Sequence, residues 1–330
     1  MAILAGMDEA GYGPILGPLV VTGVAFRVPD DQADACLWRT LRNSCTRKPR
    51  AKEPRLAVTD SKDLHNSARY ADSLAALERT VLVTLSTAHT VPISIADLLS
   101  LLAPGSSERF SQHAWYGRLD QPLPAAESGD LATRANALRW DFRQNGVDFL
   151  GAFCEPFPER DYNRFVAETG NKSDLVSMLN LRVIRRVLAT ARPGETVRIF
   201  ADRLGGRTHY ADMLSSVFTD GKVSAREESI ERSVYELNRT QSTPAAALSP
   251  DTRVTYAVAA DQHHFPTALA SIYSKYLREL FMRQFNAYWS QFAALKPTAG
   301  YYNDGHRWLA DAAPILAAQN IDRDHLVRTR

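Results

Sequence analysis

The chain has 330 residues, 45% of them hydrophobic, so it can bury a core as one large domain or two small ones. No apolar run approaches 18 residues, which excludes a membrane-spanning helix, and we expect no signal peptide because no basic segment precedes the first apolar run. The net charge of +2 does not by itself indicate a nucleic-acid-binding protein. Three cysteines without C-x-x-C spacing predict reduced thiols in a cytoplasmic protein.

Two adjacent carboxylates follow the first predicted strand. The apolar run over residues 2–7 predicts this strand, Asp8 and Glu9 come directly after it, and residues 19–26 predict a second strand. Two acids at the end of a buried strand are costly unless a cation compensates their charge. A divalent metal ion is the usual partner for such oxygen ligands.

The turn between these strands has glycine on both sides of an aromatic residue. Gly11 and Gly13 leave the backbone around Tyr12 without a Cβ atom, so a ligand can approach the main-chain N–H groups closely. Two interpretations stay open for the segment. It is either a metal site beside a loop that contacts phosphate or sugar, or a hairpin rich in glycine and proline with two solvated acids.

A basic segment follows a predicted helix over residues 30–43. Residues 39–55 contain seven arginines and lysines and one acid, Glu53. They either neutralise phosphates or form a solvated basic loop. Farther along, Ser61 and Lys62 either hold a phosphate or lie at the cap of the next helix, with Asp60 and Asp63 as other capping candidates.

The rest of the chain alternates helical and strand patterns, with one exception. Residues 103–171 contain five prolines and several aromatic side chains, which predicts an insertion or small subdomain. Hydrophobic periodicity predicts helices over residues 67–79, 93–102, 173–191, 266–292 and 306–319, and strands over residues 80–87, 196–201, 229–237 and 253–259.

Two further carboxylates lie where predicted strands end. Asp202 follows the strand over residues 196–201, and Asp261 follows the strand over residues 253–259. If the four acids meet at one end of a sheet, they hold two Mg²⁺ ions through oxygen, and paired ions promote phosphodiester cleavage. The pattern alone does not establish that they meet.

Six segments, in the same order along the chain, resemble the motifs of the type 2 ribonuclease H family (ribonuclease HII). The family opens with D-E-A-G-R-G-P, and the later segments resemble its D-S-K-x-L, V-D-G, G-D…A-A-S-I-x-A-K, R-D-R-L-M and G-Y-x-T-x-x-H motifs. The matching segments are residues 8–14, 60–64, 199–202, 261–275, 278–282 and 300–306.

The resemblance implies an α/β protein with the RNase H-like fold, a mixed five-stranded sheet flanked by helices. It implies a single catalytic domain over residues 1–330, with residues 103–171 as the insertion and residues 306–330 as a C-terminal helix and basic tail.

The implied activity is metal-dependent endonucleolytic hydrolysis of the RNA strand of RNA–DNA hybrids, leaving a 3′-hydroxyl and a 5′-phosphate. Incision at ribonucleotides embedded in DNA is implied as well, with a place in DNA replication and repair. The implied enzyme is a cytoplasmic monomer with no membrane partner, and it uses two Mg²⁺ or Mn²⁺ ions. The resemblance assigns catalysis and metal binding to Asp8, Glu9, Asp202 and Asp261, and substrate binding to Gly11, Tyr12, Gly13, Ser61, Lys62, Lys275 and Tyr301.

The sequence departs from the family pattern mainly at Tyr12, which stands where the family has arginine. Type 3 relatives also lack that arginine. Two alternatives therefore accompany the resemblance: a diverged nuclease of the same fold that acts on another nucleic acid, and a non-catalytic nucleic-acid-binding module. Retention of all four carboxylates argues against the second, because unpaired buried acids cost stability.

Overall fold

A seven-stranded mixed β-sheet organises the chain in a computed structural model that describes residues 1–48, 53–65, 74–125, 130–216, 218–219, 221–239 and 252–329. The strands are β1 Ala2–Ala10, β2 Leu19–Val28, β3 Cys45–Thr46, β4 Leu56–Ala57, β5 Asp148–Phe157, β6 Thr196–Asp202, β7 Gly221–Glu228, β8 Arg232–Arg239 and β9 Thr252–Ala257. The order in the main sheet is β5-β2-β1-β6-β9-β8-β7, and β3 and β4 form a separate parallel pair.

The centre of the sheet is parallel and its two sides are antiparallel. β6 pairs in parallel with β1 and with β9, so these three strands have their carboxyl ends at one edge. β2 runs antiparallel to β1 and to β5, and β8 runs antiparallel to β9 and to β7. The fold thereby delivers the ends of three separate chain segments to one place.

Helices cover the sheet. They are α1 Leu37–Thr40, α2 Ser61–His65, α3 Ala75–Leu85, α4 Ile95–Leu102, α5 Ser107–Ser111, α6 Leu131–Asn145, α7 Glu159–Thr169, α8 Lys172–Leu188, α9 Ala211–Ser215, α10 Ala260–His263, α11 Phe265–Trp289, α12 Tyr302–Ala318 and α13 Arg323–Leu326. Two 3-10 helices, Asp30–Gln32 and Ala114–Tyr116, occur in connections. No helix in these described ranges is long and apolar enough to cross a membrane.

The central strand β1 feeds two apolar cores because its side chains alternate between the faces of the sheet. Ala2 and Leu4 join a core built around α11, α3 and α6, whereas Ile3, Ala5 and Met7 join a core built around α8. Burial on both faces explains why the start of the chain is a continuous apolar run.

The long helix α11 contacts the backbone of β1 at a glycine. A Cβ atom on Gly6 would lie 2.0 Å from the backbone nitrogen of Thr267, so no other residue fits without displacing α11. This contact sets the distance between the helix and the carboxylate-bearing end of β1.

The expected fold class, an α/β protein with a mixed sheet flanked by helices, is confirmed. The sheet has seven strands where five were expected. The additional two form the hairpin β7–β8, which pairs with the edge of β9. The sequence pattern predicted β8 only in part and missed β7, in which no residue is fully buried and the hydrophobic signal is weak.

Residues 103–171 are not a separate insertion or subdomain. They contain β5, which pairs with β2 from Phe157 to Asp148 and forms one edge of the main sheet. Phe110, Trp115 and Phe142 belong to the same apolar core as α11. The prolines and turns of the segment suggested a separate unit. The strand β5 was missed because it pairs with β2, which lies more than 100 residues earlier in the chain.

The predicted strand over residues 80–87 was also wrong, since most of this segment lies in helix α3. The hydroxyls of Thr80 and Thr84 donate to the carbonyls of Ala76 (3.1 Å) and Thr80 (2.8 Å), four residues earlier. Nearly all of α3 is buried, and tertiary burial outweighs the β preference of its branched side chains. Residues 67–73 of the preceding predicted helix lie outside the described residues.

Other predicted helices differ in their bounds. The helix expected over residues 30–43 is a 3-10 turn followed by the short α1. Helix α12 begins at Tyr302, ahead of the expected position 306. The expected basic tail is not free either. Arg328 is 3% exposed, and its main-chain N–H donates to the carbonyl of Ile15 at 2.9 Å.

We expect Gly6→Ala to lower the free energy of unfolding by about 3 kcal/mol, because the added methyl group collides with the backbone of α11. Urea denaturation measures the change. The control is Gly206→Ala, where a Cβ atom meets nothing within 4 Å. Equal stability of the two variants would contradict the close contact between β1 and α11.

Candidate active site

The four predicted carboxylates line one cavity of about 410 Å³ at the carboxyl edge of the parallel strands. Asp8 and Glu9 lie within the last residues of β1, since β1 continues to Ala10 through its pairing with β2. Asp202 is the last residue of β6, and Asp261 lies in α10, which begins at Ala260 after β9 has ended at Ala257. The convergence that sequence left open is therefore present.

Burial raises the pKa of every one of these carboxyl groups, and repulsion by neighbouring carboxylates raises it further at Asp8, Glu9 and Asp261. Burial and the charge of Glu9 raise the pKa of Asp8 well above its usual range. Burial and the charge of Asp202 raise the pKa of Glu9 to about 7. The pKa values of Asp202 and Asp261 are raised mainly by burial, and Asp60 adds a further repulsive charge at Asp261.

Two lysines line the cavity, but only one acts as a counter-charge to these acids. Lys62 lowers the pKa values of Glu9, Asp202 and Asp261. Lys275 forms an ion pair of 2.7 Å with Glu279 on the next turn of α11. The cavity thus holds more negative than positive charge.

The donor chemistry fits a hard divalent cation, which prefers carboxylate oxygens and would relieve the repulsion. Within the described ranges, however, no three His, Cys, Asp or Glu side chains form a ready-made metal site. Several of these carboxylates could share one metal ion only after their side chains turn toward a common point.

Helix α11 supports the Asp8 end of β1 through two serines that residue patterns did not single out as functional. Ser274 donates to the main-chain carbonyl of Asp8 at 3.1 Å. The hydroxyl of Ser271 bonds to the Asp8 carboxyl group and lies 2.9 Å from the hydroxyl of Ser61. Both serines lie in the segment over residues 261–275 that resembles a family motif, but the resemblance assigned them no role.

The glycine loop after Glu9 is fixed by a buried arginine on α11. Arg278 is 1% exposed and donates to the carbonyls of Pro18 and Leu16 at 3.2 Å each. It also donates to the carbonyl of Ala299 at 2.8 Å, which ties the segment before Tyr301 to the same point. The sequence places Arg278 in the segment that resembles the R-D-R-L-M motif, but it gave no indication of what this arginine does.

Within this loop, the glycines on either side of Tyr12 have different surroundings. Gly11 has φ +93°, and a Cβ atom there would lie 2.5 Å from the carbonyl oxygen of Pro18. A Cβ atom on Gly13 would meet nothing within 4 Å. Gly11 is thus required by the fold, whereas Gly13 leaves the cavity side of the loop open to a ligand.

Two tyrosines stand at the rim of the cavity. Tyr301 is 47% exposed and lines the cavity beside the glycine loop, where the N–H of Ile15 donates to the carbonyl of Gly300 at 2.8 Å. Tyr12 is half-buried, and the ammonium nitrogen of Lys172 lies 5.3 Å from the centre of its ring. Burial and the charge of Glu9 raise the pKa of Tyr12, which keeps its phenol neutral.

The basic segment over residues 39–55 reaches one side of the cavity. Arg47 stacks on Trp38 at 4.4 Å and donates to the carbonyl of Gln262, which itself lines the cavity. Arg55 is paired with Glu53 at 2.8 Å. Arg50 and Lys52 lie outside the described residues.

No protein-family model and no curated protein sequence matches the chain. Among solved structures, it is similar to the RNase HII of Archaeoglobus fulgidus in its complex with PCNA, with 16% identity over 99% of this chain and 94% of that one, and a TM-score of 0.43. The ribonuclease H2 of Pyrococcus horikoshii OT3 is 12% identical over 98% and 92% of the two chains, with a TM-score of 0.42. Bst-RNase HIII in complex with Mn²⁺ is 14% identical over 99% of this chain and 66% of that one, with a TM-score of 0.41. Similarity this distant leaves the function to be argued from the site.

We expect Glu9→Gln to flatten the pH dependence of stability in metal-free buffer. The folded state holds a proton on Glu9 up to about pH 7, whereas the ordinary carboxyl pKa is 4.5. The contribution of this bound proton to the free energy of unfolding is therefore fully present below pH 4.5 and is lost as the pH rises through about 7. Urea denaturation with EDTA from about pH 4 to pH 8 tests this.

The control is Glu108→Gln, because Glu108 is exposed. Identical pH profiles of stability for the wild type and Glu9→Gln would contradict the raised pKa of Glu9.

Proposed function

We propose that this protein is a divalent-metal-dependent endoribonuclease of the type 2 ribonuclease H family, acting on the RNA strand of RNA–DNA hybrids. The observation that carries the proposal is that acids from three ordered motifs, Asp8 with Glu9, Asp202 and Asp261, line one cavity beside the glycine loop. A non-catalytic module would gain nothing from four carboxyl groups that repel each other.

The proposed metal ligands are the same four carboxylates. When bound there, a pair of Mg²⁺ or Mn²⁺ ions supplies an activated water and stabilises the leaving oxygen of phosphodiester hydrolysis. The strands hold the carboxylate backbones in place, and Lys62 partly balances their charge. The products expected of such hydrolysis are a 3′-hydroxyl and a 5′-phosphate.

Substrate positioning in the proposal uses the residues around the rim. The main chain at Gly11 and Gly13 faces the ribose 2′-hydroxyl, the group that distinguishes RNA from DNA. Tyr301 packs on a sugar from the rim of the cavity, where its ring is exposed. Ser61 and Lys62 contact a backbone phosphate through a hydroxyl and a point charge.

The proposed substrate preference is for continuous hybrid over a single ribonucleotide in DNA. Tyr12 presents a neutral phenol where an arginine would supply a charged fork, so the loop holds an isolated ribonucleotide less firmly. Free thiols at Cys36, Cys45 and Cys154 agree with a cytoplasmic enzyme, and a monomer is part of the proposal.

We expect Asp8→Asn to lower the rate of hybrid cleavage by about 10²-fold or more while hybrid binding persists, because the amide loses charge at the proposed metal site. Thermal denaturation gives a second readout. Mg²⁺ or Mn²⁺ should raise the melting temperature of the wild type, and less so that of the variant. Asp148→Asn is the control, since Asp148 is exposed at the far end of the sheet.

The same assay compares four labelled substrates: an RNA–DNA hybrid, a DNA duplex with one ribonucleotide, plain DNA duplex and plain RNA duplex. Rapid cleavage of the hybrid and slow cleavage of the single-ribonucleotide duplex is the expected pattern. Cleavage of plain DNA or plain RNA would instead identify a diverged nuclease. Full activity of Asp8→Asn would contradict the metal site.

We expect the double variant Arg42→Gln and Lys48→Gln to weaken hybrid binding and to reduce its salt dependence. Both side chains are exposed in the basic segment whose Arg47 reaches the cavity rim. The slope of log K against log salt should fall by about 0.9 for each lost phosphate contact. An unchanged slope would mean that the segment is a solvated loop.

A further inference from the structure

An open groove of about 630 Å³ follows the outer surface of helix α8, on the face of the sheet away from α11. One wall of the groove is formed by residues of α8 that recur every three or four positions, so their side chains lie on one face of the helix. This wall consists of Asp174, Ser177, Met178, Leu181, Arg182 and Arg185. Arg207 and residues of α9 form the opposite wall. We call it the α8 groove.

The α8 groove lies next to the carboxylate cavity on the protein surface. A narrow slot lies between them, and Arg207 lines both the groove and the slot. Glu9 and Tyr12 line both the slot and the carboxylate cavity. A polymer strand that occupies the cavity can therefore run across the surface at Tyr12 and reach the groove.

The charges along this path suit a polyanion. Lys172 lies over the Tyr12 ring at the entrance, and Arg207, Arg182 and Arg185 follow along the groove. The acids in the groove wall are Asp174, 3.9 Å from Arg207, and Asp212.

The ion pairs in this region leave the arginines able to bind. Arg182 is 3.7 Å from Glu155 and its side chain is 43% exposed, while Arg207 donates to the hydroxyl of Ser177 at 2.9 Å. Both ion pairs are long, 3.7 Å for Arg182 with Glu155 and 3.9 Å for Arg207 with Asp174, and each guanidinium has five donors. Phosphate oxygens can thus replace or join the present partners.

We infer that the α8 groove binds the sugar–phosphate backbone of the duplex where it leaves the carboxylate cavity on the Tyr12 side. The inference rests on the proposed function, because it takes the cavity to hold the same nucleic acid. From Lys172 to Arg185 the helix spans about 20 Å at 1.5 Å per residue. At roughly 3.4 Å per nucleotide along a strand, this length corresponds to about six base pairs.

The test measures hybrid binding in an Asp8→Asn background, so that the substrate stays intact. The double variant R182Q/R185Q should lower the slope of log K against log salt by about 1 for each arginine that contacts phosphate. R182K/R185K keeps the charges and should retain the slope. R143Q is the matched control, because Arg143 is exposed on α6, which packs on the other face of the sheet.

Duplex length gives a readout that a general loss of stability would not reproduce. With hybrids shortened from one end at a time, the deficit of R182Q/R185Q should disappear when fewer than about six base pairs remain on one side of the cleavage site. Shortening the other side should leave the deficit in place. A deficit that is independent of duplex length on both sides would overturn the inference.

The outcomes separate the groove from the proposed function. If R182Q/R185Q binds with an unchanged slope while the metal-loaded protein cleaves hybrid, the groove inference fails and the proposed function stands. If the slope falls as expected but the wild-type protein with Mg²⁺ or Mn²⁺ cleaves no hybrid, the groove stands and the proposed function fails.

Discussion

Mutual repulsion among carboxyl groups at one edge of the sheet is the constraint on which the site depends. Burial raises the pKa values of all four carboxyl groups, Asp8, Glu9, Asp202 and Asp261, and repulsion by neighbours raises those of Asp8, Glu9 and Asp261 further. Such groups would separate if their backbones were free to move. The parallel pairing of β1, β6 and β9 prevents this separation. Free energy from the two apolar cores thus offsets an unfavourable charge arrangement that a cation would stabilise.

Helix α11 connects this arrangement to the rest of the fold. The start of α11 packs on the backbone of β1 at Gly6. About two turns later, the hydroxyl of Ser274 donates to the carbonyl of Asp8. Farther along, Arg278 binds carbonyls from the glycine loop and from the segment before Tyr301. One rigid helix therefore sets the positions of the carboxylates, the glycine loop and one rim tyrosine relative to one another.

The C-terminal segment completes the support of the glycine loop. Arg328 donates to the carbonyl of Pro14 through its side chain and to that of Ile15 through its backbone. Glu159, fully buried at the start of α7, accepts from the N–H of Gly17 at 2.9 Å and from the Tyr116 hydroxyl at 2.8 Å. Segments far apart in sequence thus converge beneath a loop of a few residues, which leaves its outer surface available for a ligand.

The surroundings of the cavity are asymmetric. The basic segment reaches it beside Gln262 through Arg47, whereas Lys172 and the α8 groove begin at Tyr12. A double-stranded ligand that spans the cavity would meet cations on both sides and carboxylates in the middle. The small net charge of the whole chain therefore does not describe this surface, because acidic and basic residues occupy different parts of it.

The sequence by itself determined the features that depend on local order. The apolar run of β1, the carboxylates that follow strands, and the glycines around Tyr12 could all be read from neighbouring residues, and so could the long helices α8 and α11. Only the tertiary structure decided that the carboxylates meet, that β5 belongs to the main sheet, and that residues 80–85 are helical. It also decided that Arg278 and Arg328 are buried supports, since an arginine in sequence carries no sign of whether solvent or carbonyl oxygens will surround it. Hydrophobic periodicity reports which face of one element is buried, whereas these outcomes depend on which distant element packs against that face.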